Sequence, residues 1–169
     1  MEMPVFTIRG KNHRERGVDY GVQCKELIQG VLERYIRFFN GGHTAVSWDE
    51  AKVISKEFLP FIRSYSPELL DELEGIAQGA DVEFADLLTL NSRSEAMTLV
   101  RRPPSDKEEL DGCSSVAVLP DASANGHTIL AQNWDTYTWQ EYGTVILQIL
   151  RDGRSGSDDR YRGRTACQI

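Results

Sequence analysis

Apolar residues recur at alternating steps of four and three through the first quarter of the chain, with Cys24, Ile28, Val31, Tyr35 and Phe38 falling on one stripe. That spacing predicts a helix over about residues 14–39 and assigns Cys24 to the core. Gly17 and Gly21 share one face of the same helix. Glycine costs stability there relative to alanine, so the face either admits a second backbone or merely tolerates the two residues. A short β-prone run, Val5 to Arg9, precedes the helix and ends at Gly10.

Helical periodicity continues after residue 46. Ser47-Trp48-Asp49-Glu50 has the spacing of a capping box, and Ala51, Ile54, Phe58, Phe61 and Tyr65 extend the apolar stripe. Pro60 should break or kink that helix near Leu59. Ser66-Pro67-Glu68 restarts it, with a cap residue before a proline in the first turn, and Leu69, Leu73, Ile76 and Ala80 face one way. Asp81 is expected to cap a last short helix through Phe84, Leu87 and Leu88, and the polar cluster from Asn91 to Glu95 to close the helical half.

From Arg101 to Asp111 the chain is charged and carries Pro103-Pro104, the pattern of an exposed loop. Beyond it the period changes to two. Residues 114–119 and 128–132 read as strands joined through Asn125-Gly126, a pair suited to positive φ. Residues 143–150 read as a third strand of that sheet, with Val145-Ile146-Leu147 apolar enough for burial on both faces. Residues 151–160 include no apolar residue and the remainder to Ile169 is arginine-rich without periodicity, so residues 151–169 are expected to be disordered or aberrant and to add no strand. The organisation expected is a helical portion over 1–112, the start of a sheet over 113–150, and that tail.

Composition narrows the function classes. A net charge of −7 argues against nucleic acid, whose phosphates need a basic surface. No apolar run approaches the roughly 20 residues that cross a bilayer. Three cysteines, Cys24, Cys113 and Cys167, form no CxxC pair, and His13, His43 and His127 lack ligand spacing. Neither a metal site nor a disulfide framework is expected, and a reducing compartment fits best.

The chemistry gathers at Asp111-Gly112-Cys113-Ser114-Ser115, where a thiol follows a glycine at the seam between helical and strand-like halves. Attack of the Cys113 sulfur on the Gly112 carbonyl would give a thioester, and its hydrolysis would leave Cys113 as a new N-terminus. Nucleophile and base would then share one residue: a thiol titrates near ~8.5 and an α-amine near ~7.7–8.0, close enough to exchange a proton near neutrality. Gly112, lacking a Cβ, leaves its carbonyl open to attack. The plainer reading is a turn entering a strand with a small core residue.

Four segments, in order, carry a resemblance: Glu74-Gly75-Ile76-Ala77-Gln78-Gly79-Ala80, Leu90-Asn91-Ser92-Arg93-Ser94-Glu95, the Gly112-Cys113 seam, and Gln132-Asn133-Trp134-Asp135. Together with Arg9-Gly10 and the run from Glu15 to Gly21, they resemble the acyl-coenzyme A:6-aminopenicillanate (isopenicillin N) acyltransferase-like family of N-terminal nucleophile cysteine hydrolases. The resemblance implies an α+β chain forming part of an αββα sandwich, cut between Gly112 and Cys113 into α and β fragments. It makes Cys113 the nucleophile and places Asp135 in the active-site neighbourhood. Asn133, Arg93 and Glu95 become candidates for support or substrate binding, although a strand-end turn and a structural ion pair explain them equally well. No cofactor is implied, acyl-coenzyme A entering only as a substrate. The partner expected is a small acylated amine or acyl thioester, with neither nucleic acid nor membrane.

Members of that family are longer, and the residues completing their oxyanion hole and cleft fall in sequence this chain lacks. Loss of one such donor typically removes about 10²–10³ in rate. Two readings follow: a self-cleaving cysteine hydrolase or acyltransferase precursor, or a truncated, catalytically incomplete remnant acting at most as a binding fragment. A papain-like protease would need His127 as base, and the predicted hairpin holds His127 at the far end from Cys113. The expected location is cytoplasmic, or peroxisomal for a full-length relative, with no targeting signal read in the chain.

Overall fold

The computed structural model describes residues 3–99, 113–133, 135–150 and 163–168. Its elements run β1 (Val5–Ile8), α1 (His13–Gln23), α2 (Lys25–Phe38), α3 (Trp48–Lys56), α4 (Leu59–Tyr65), α5 (Pro67–Ala80), α6 (Phe84–Asn91), α7 (Arg93–Leu99), β2 (Ser114–Val118), β3 (Ile129–Asn133), β4 (Thr144–Ile149) and β5 (Gly163–Gln168). The chain is mixed helix and strand, and it divides into two compact units. One comprises Met1–Arg102 with Gln140–Ile169, the other Pro103–Trp139.

In the first unit α1 lies against α5 at backbone distance. A Cβ placed on Gly17 would sit 2.1 Å from the Glu72 carbonyl oxygen, and one on Gly21 would sit 2.3 Å from that of Ile76. Gly75 and Gly79 answer from α5, where added Cβ atoms would lie 2.3 Å from the carbonyl oxygens of Arg14 and Val18. The glycines on α1 therefore admit a second backbone, as one of the two sequence readings held. Asn12 starts α1 by accepting from the Glu15 amide at 2.8 Å.

The helix expected over 14–39 is two helices meeting at Cys24, where φ is −106° and ψ 14°. The Cys24 amide still donates to Tyr20 and its carbonyl still accepts from Ile28, both at 2.9 Å. The apolar stripe thus keeps its phase, and Cys24, Ile28, Val31 and Tyr35 are all buried. The capping box forms as written: Glu50 donates its amide to the Ser47 hydroxyl, and its carboxylate accepts from the Ser47 amide at 2.8 Å. Those hydrogen bonds from Ser47 hold the Glu50 carboxyl below the usual glutamate range. Pro60 falls in the first turn of α4, so the break predicted near Leu59 becomes a helix start.

Four expectations are corrected. Asp81 does not begin α6; it ends α5 in the left-handed region, at φ 58°, and Glu83 precedes α6. A short polar residue is suited to either end of a helix, which is why the sequence does not decide. The cluster from Asn91 to Glu95 does not close the helical half, because Arg93 opens α7. Phe61 and Tyr65, placed on the core stripe, are 72% and 86% exposed: the break before α4 rotates them outward.

The fourth correction concerns strands. Residues 144–149 leave the hairpin sheet and take the centre of a separate three-stranded sheet of order β1-β4-β5. There β4 runs parallel to β1, with Val5 opposite Ile146 and Ile8 opposite Ile149. Residues 163–168, expected to add no strand, pair antiparallel with β4 from Gly163 opposite Ile149 to Gln168 opposite Thr144. Val145 and Leu147 are buried whereas Ile146 is only partly so, giving β4 one well-covered face rather than two. Tyr142, just before β4, packs its ring on Gly30 of α2 beneath the Arg34 guanidinium, 3.8 Å from the ring centre.

The second unit holds the antiparallel hairpin of β2 and β3. Gly126 supplies the positive φ, 68°, in the connection between them, as the Asn-Gly pair predicts. Among the described residues no helix is long and apolar enough to cross a membrane.

Candidate active site

Hairpin register decides what stands beside Cys113. Ser114 lies opposite Asn133, and pairing continues to Val118 opposite Ile129. Val116 stands opposite Ala131 and Val118 opposite Ile129 on one face, with Ala117 opposite Leu130 on the other. The residue entering β2 is therefore a neighbour of the residues leaving β3.

Cys113 is exposed, and its thiol donates to the backbone carbonyl oxygen of Asp135 at 3.7 Å. The Asp135 carboxylate is held separately. Asn133 Nδ2 donates to its two oxygens at 3.0 and 3.1 Å, which fixes the residue whose carbonyl meets the thiol. Three of the sequence candidates, Cys113, Asn133 and Asp135, are thus one cluster. The contact to Cys113 runs through the main chain of Asp135, a distinction the sequence does not contain. Gly112 and Trp134 lie outside the described residues.

Chemically, a carbonyl oxygen can orient an S–H but takes no proton from it at neutral pH. The cluster aims a sulfur without deprotonating it. His127 follows the turn at the opposite end of the hairpin, where its amide donates to Asn125 Oδ1 at 3.2 Å. That position removes it as base for Cys113 through the hairpin. Among the described residues, no group of three or more histidine, cysteine or acidic side chains converges to hold a metal.

Arg93 and Glu95 stand on α7, in the helical unit. Arg93 Nη1 donates to the Leu90 carbonyl at 2.6 Å, and its guanidinium lies 4.8 Å from the centre of the Tyr35 ring. These contacts tie the start of α7 to α6 and α2, a structural use of the arginine. Glu95 has no described ion-pair partner and faces a cavity walled by Phe58, Ile62, Leu73, Ile76 and Leu88. Sequence reading placed Phe58, Leu73, Ile76 and Leu88 on apolar helix faces, left Ile62 unassigned and missed the cavity; the exposure of Leu69, also on its wall, is a property of packing rather than of period.

No family model matches the chain. Curated relatives do, two of them as follows. Over 162 residues, 91% of this chain, it is 28% identical to the beta-alanyl-dopamine/carcinine hydrolase of Drosophila melanogaster. Over 140 residues, 80% of the chain, it is 29% identical to the 40 kDa form of acyl-coenzyme A:6-aminopenicillanic-acid-acyltransferase from Emericella nidulans. The chain spans 39% and 36% of the lengths of these relatives. Both similarities support the acyltransferase-like family to which the ordered motifs point.

Proposed function

We propose that the chain is the nucleophile-bearing part of a hydrolase or acyltransferase that activates itself at Cys113. Its sulfur attacks the Gly112 carbonyl carbon; the C–N bond breaks, and the departing nitrogen takes up a proton as the α-amine of Cys113. Water then hydrolyses the Gly112 thioester, releasing a carboxylate and the free thiol. In the mature site the α-amine accepts the thiol proton, and the thiolate attacks the acyl carbon of substrate. The protonated amine returns its proton to the leaving group, and water or an acceptor amine takes the acyl group from sulfur.

The observation that carries this reading is the cluster at the open end of the hairpin, where the exposed Cys113 sulfur lies against the residue that Asn133 fixes. A structural cysteine is normally buried, as Cys24 is. The relatives' names support, as the substrate class proposed, an amide of a small amine or an acyl thioester such as acyl-coenzyme A. Completion of an αββα sandwich around the hairpin belongs to the same proposal. Both faces of that hairpin are exposed, and two strands alone are marginally stable in water.

Intact-mass measurement on purified protein tests it. Two fragments are expected, one ending at Gly112 and one beginning at Cys113, and Cys113→Ala should remain a single chain. A wild-type chain that stays whole while folded overturns self-activation and leaves a binding fragment as the reading.

A further inference from the structure

We propose that the cavity bounded by α4, α5, α6 and α7 is a binding site for a small organic cation, an amine on an apolar body. It lies wholly within the helical unit and owes nothing to Cys113. Its volume is about 440 Å³, inside the roughly 300–1,000 Å³ of small-molecule sites. Phe58, Ile62, Leu69, Leu73, Ile76 and Leu88 make the wall apolar. Such a wall favours a hydrocarbon or aromatic body.

The polar groups on the wall decide the charge of the ligand. They are Glu72, Asn91, Ser92 and Glu95, with no lysine, arginine or histidine among the lining side chains. Glu72 is already offset, its Oε2 lying 3.1 Å from His13 Nδ1 and 3.8 Å from Arg16 Nη2. The Ser92 hydroxyl is engaged with Ser55 and the Leu88 carbonyl, each at 2.8 Å. Asn91 donates one Nδ2 hydrogen to the Leu87 carbonyl at 3.0 Å, which leaves its amide oxygen as an acceptor and its second N–H as a donor. Glu95 carries a carboxylate with no described ion-pair partner. Apart from the second Asn91 N–H, the polar atoms left open on the wall are acceptors, and the one formal charge among them without a described partner is the Glu95 carboxylate. The complementary ligand brings donors and positive charge, which an ammonium supplies in one group. The chain's net charge of −7 favours approach of a cation as well.

Calorimetric titration of the full chain with phenethylamine, against its neutral isostere phenethyl alcohol, tests the site. One saturable site is expected for the amine, with the alcohol weaker by about tenfold or more, the usual scale for one charge-assisted contact. Glu95→Gln should weaken amine binding about tenfold and leave the alcohol unchanged. Leu73→Trp or Ile62→Trp, whichever retains the wild-type circular dichroism spectrum, should fill the cavity and abolish binding of both. Cys113→Ala should bind as wild type, so failure of self-cleavage leaves this proposal standing and the reverse holds too. Equal binding of amine and alcohol, indifference to Glu95→Gln, or a dimer in solution that binds no amine overturns it.

Discussion

Gly17 and Gly75 face each other across the contact of α1 and α5 so closely that a Cβ on either would lie 3.0–3.1 Å from the α-carbon of the other. Gly21 and Gly79 meet in the same way one turn on, a Cβ on Gly79 lying 3.0 Å from the Gly21 α-carbon and one on Gly21 lying 2.9 Å from the Gly79 carbonyl carbon. The spacing of four residues on both helices makes one continuous strip without side chains. Backbone atoms meet directly along it, and backbone cannot rotate aside as a side chain does.

Gly17→Ala and Gly75→Ala should each destabilise the protein by about 1–3 kcal/mol, the usual cost of forcing extra atoms into a packed contact. The roughly 1 kcal/mol that alanine gains within a helix opposes this and loses, because the added carbon meets the Glu72 or Arg14 carbonyl at 2.1–2.3 Å. The double variant should cost less than the sum, since one separation of the helices relieves both clashes. Urea denaturation midpoints check this. Gly41→Ala, whose Cβ meets only the movable His43 ring at 3.2 Å, is the control expected to stay near wild type.

Local chemistry was legible in the sequence where one residue type has one physical use. The capping box at Ser47 and Glu50, the buried Cys24 and the turn at Gly126 all depend on near neighbours, and period or spacing reveals them. The hairpin belongs here too, since its two strands and its turn are read from near neighbours, and it carries Cys113 to Asp135. What was hidden is non-local. Pairing of β4 with β1 joins residues about 140 apart, and nothing in Val145-Ile146-Leu147 states a partner. The same holds for the strand at 163–168, whose pairing overrides a composition that reads as polar tail. Exposure of Phe61 and Tyr65 turned on a rotation between α3 and α4 that the continuous stripe concealed.

Asp86 should behave as the anchor between α3 and α6. Its Oδ1 accepts from Trp48 Nε1 at 2.8 Å and lies 3.1 Å from Lys52 Nζ. Asp86→Ala leaves the indole N–H of a buried tryptophan without its acceptor, so a loss of about 1–3 kcal/mol is expected, read from tryptophan fluorescence during denaturation.

Lys52 gives that anchor a pH signature. The hydrogen bond to Asp86, foremost, and the charges of Asp86, Glu83 and Asp49 hold its ammonium above the ordinary 10.5. A folded-state value above the unfolded one stabilises fully below about pH 10.5 and is lost as pH rises through the raised value. The stability difference between wild type and Lys52→Met should accordingly be flat through neutral pH and shrink above about pH 10.5. A difference that stays flat into the alkaline range removes the ion pair from the account and leaves stem packing.

Hydrogen exchange should divide the chain sharply. Amides of β2 and β3 belong to a two-stranded sheet whose residues are exposed on both faces, whereas those of α1 and α5 lie in a backbone-tight contact. Exchange in the hairpin is expected to be at least about 100-fold faster than in those helices, by mass spectrometry of peptic fragments. Equal protection would mean that something further covers the hairpin in solution.

Asn133 offers the finest test of the proposed chemistry, because it touches Asp135 and not the sulfur. Its Nδ2 holds both carboxylate oxygens, and the same aspartate presents its main-chain carbonyl to the thiol, so Asn133 is a positioning residue. Asn133→Ala should slow cleavage of the Gly112–Cys113 bond about tenfold, the scale of a misplaced contact worth roughly 1.4 kcal/mol. Asn133→Asp goes further by setting two carboxylates side by side, which raises the pKa of one of them. Its rate relative to wild type should therefore recover as pH falls and one carboxyl takes up a proton. A merely structural asparagine would show no such pH-dependent ratio. Wild-type cleavage by Asn133→Asp at every pH would remove Asn133 from the mechanism, and undiminished cleavage by Asp135→Ala would leave the backbone carbonyl as the whole contribution of residue 135.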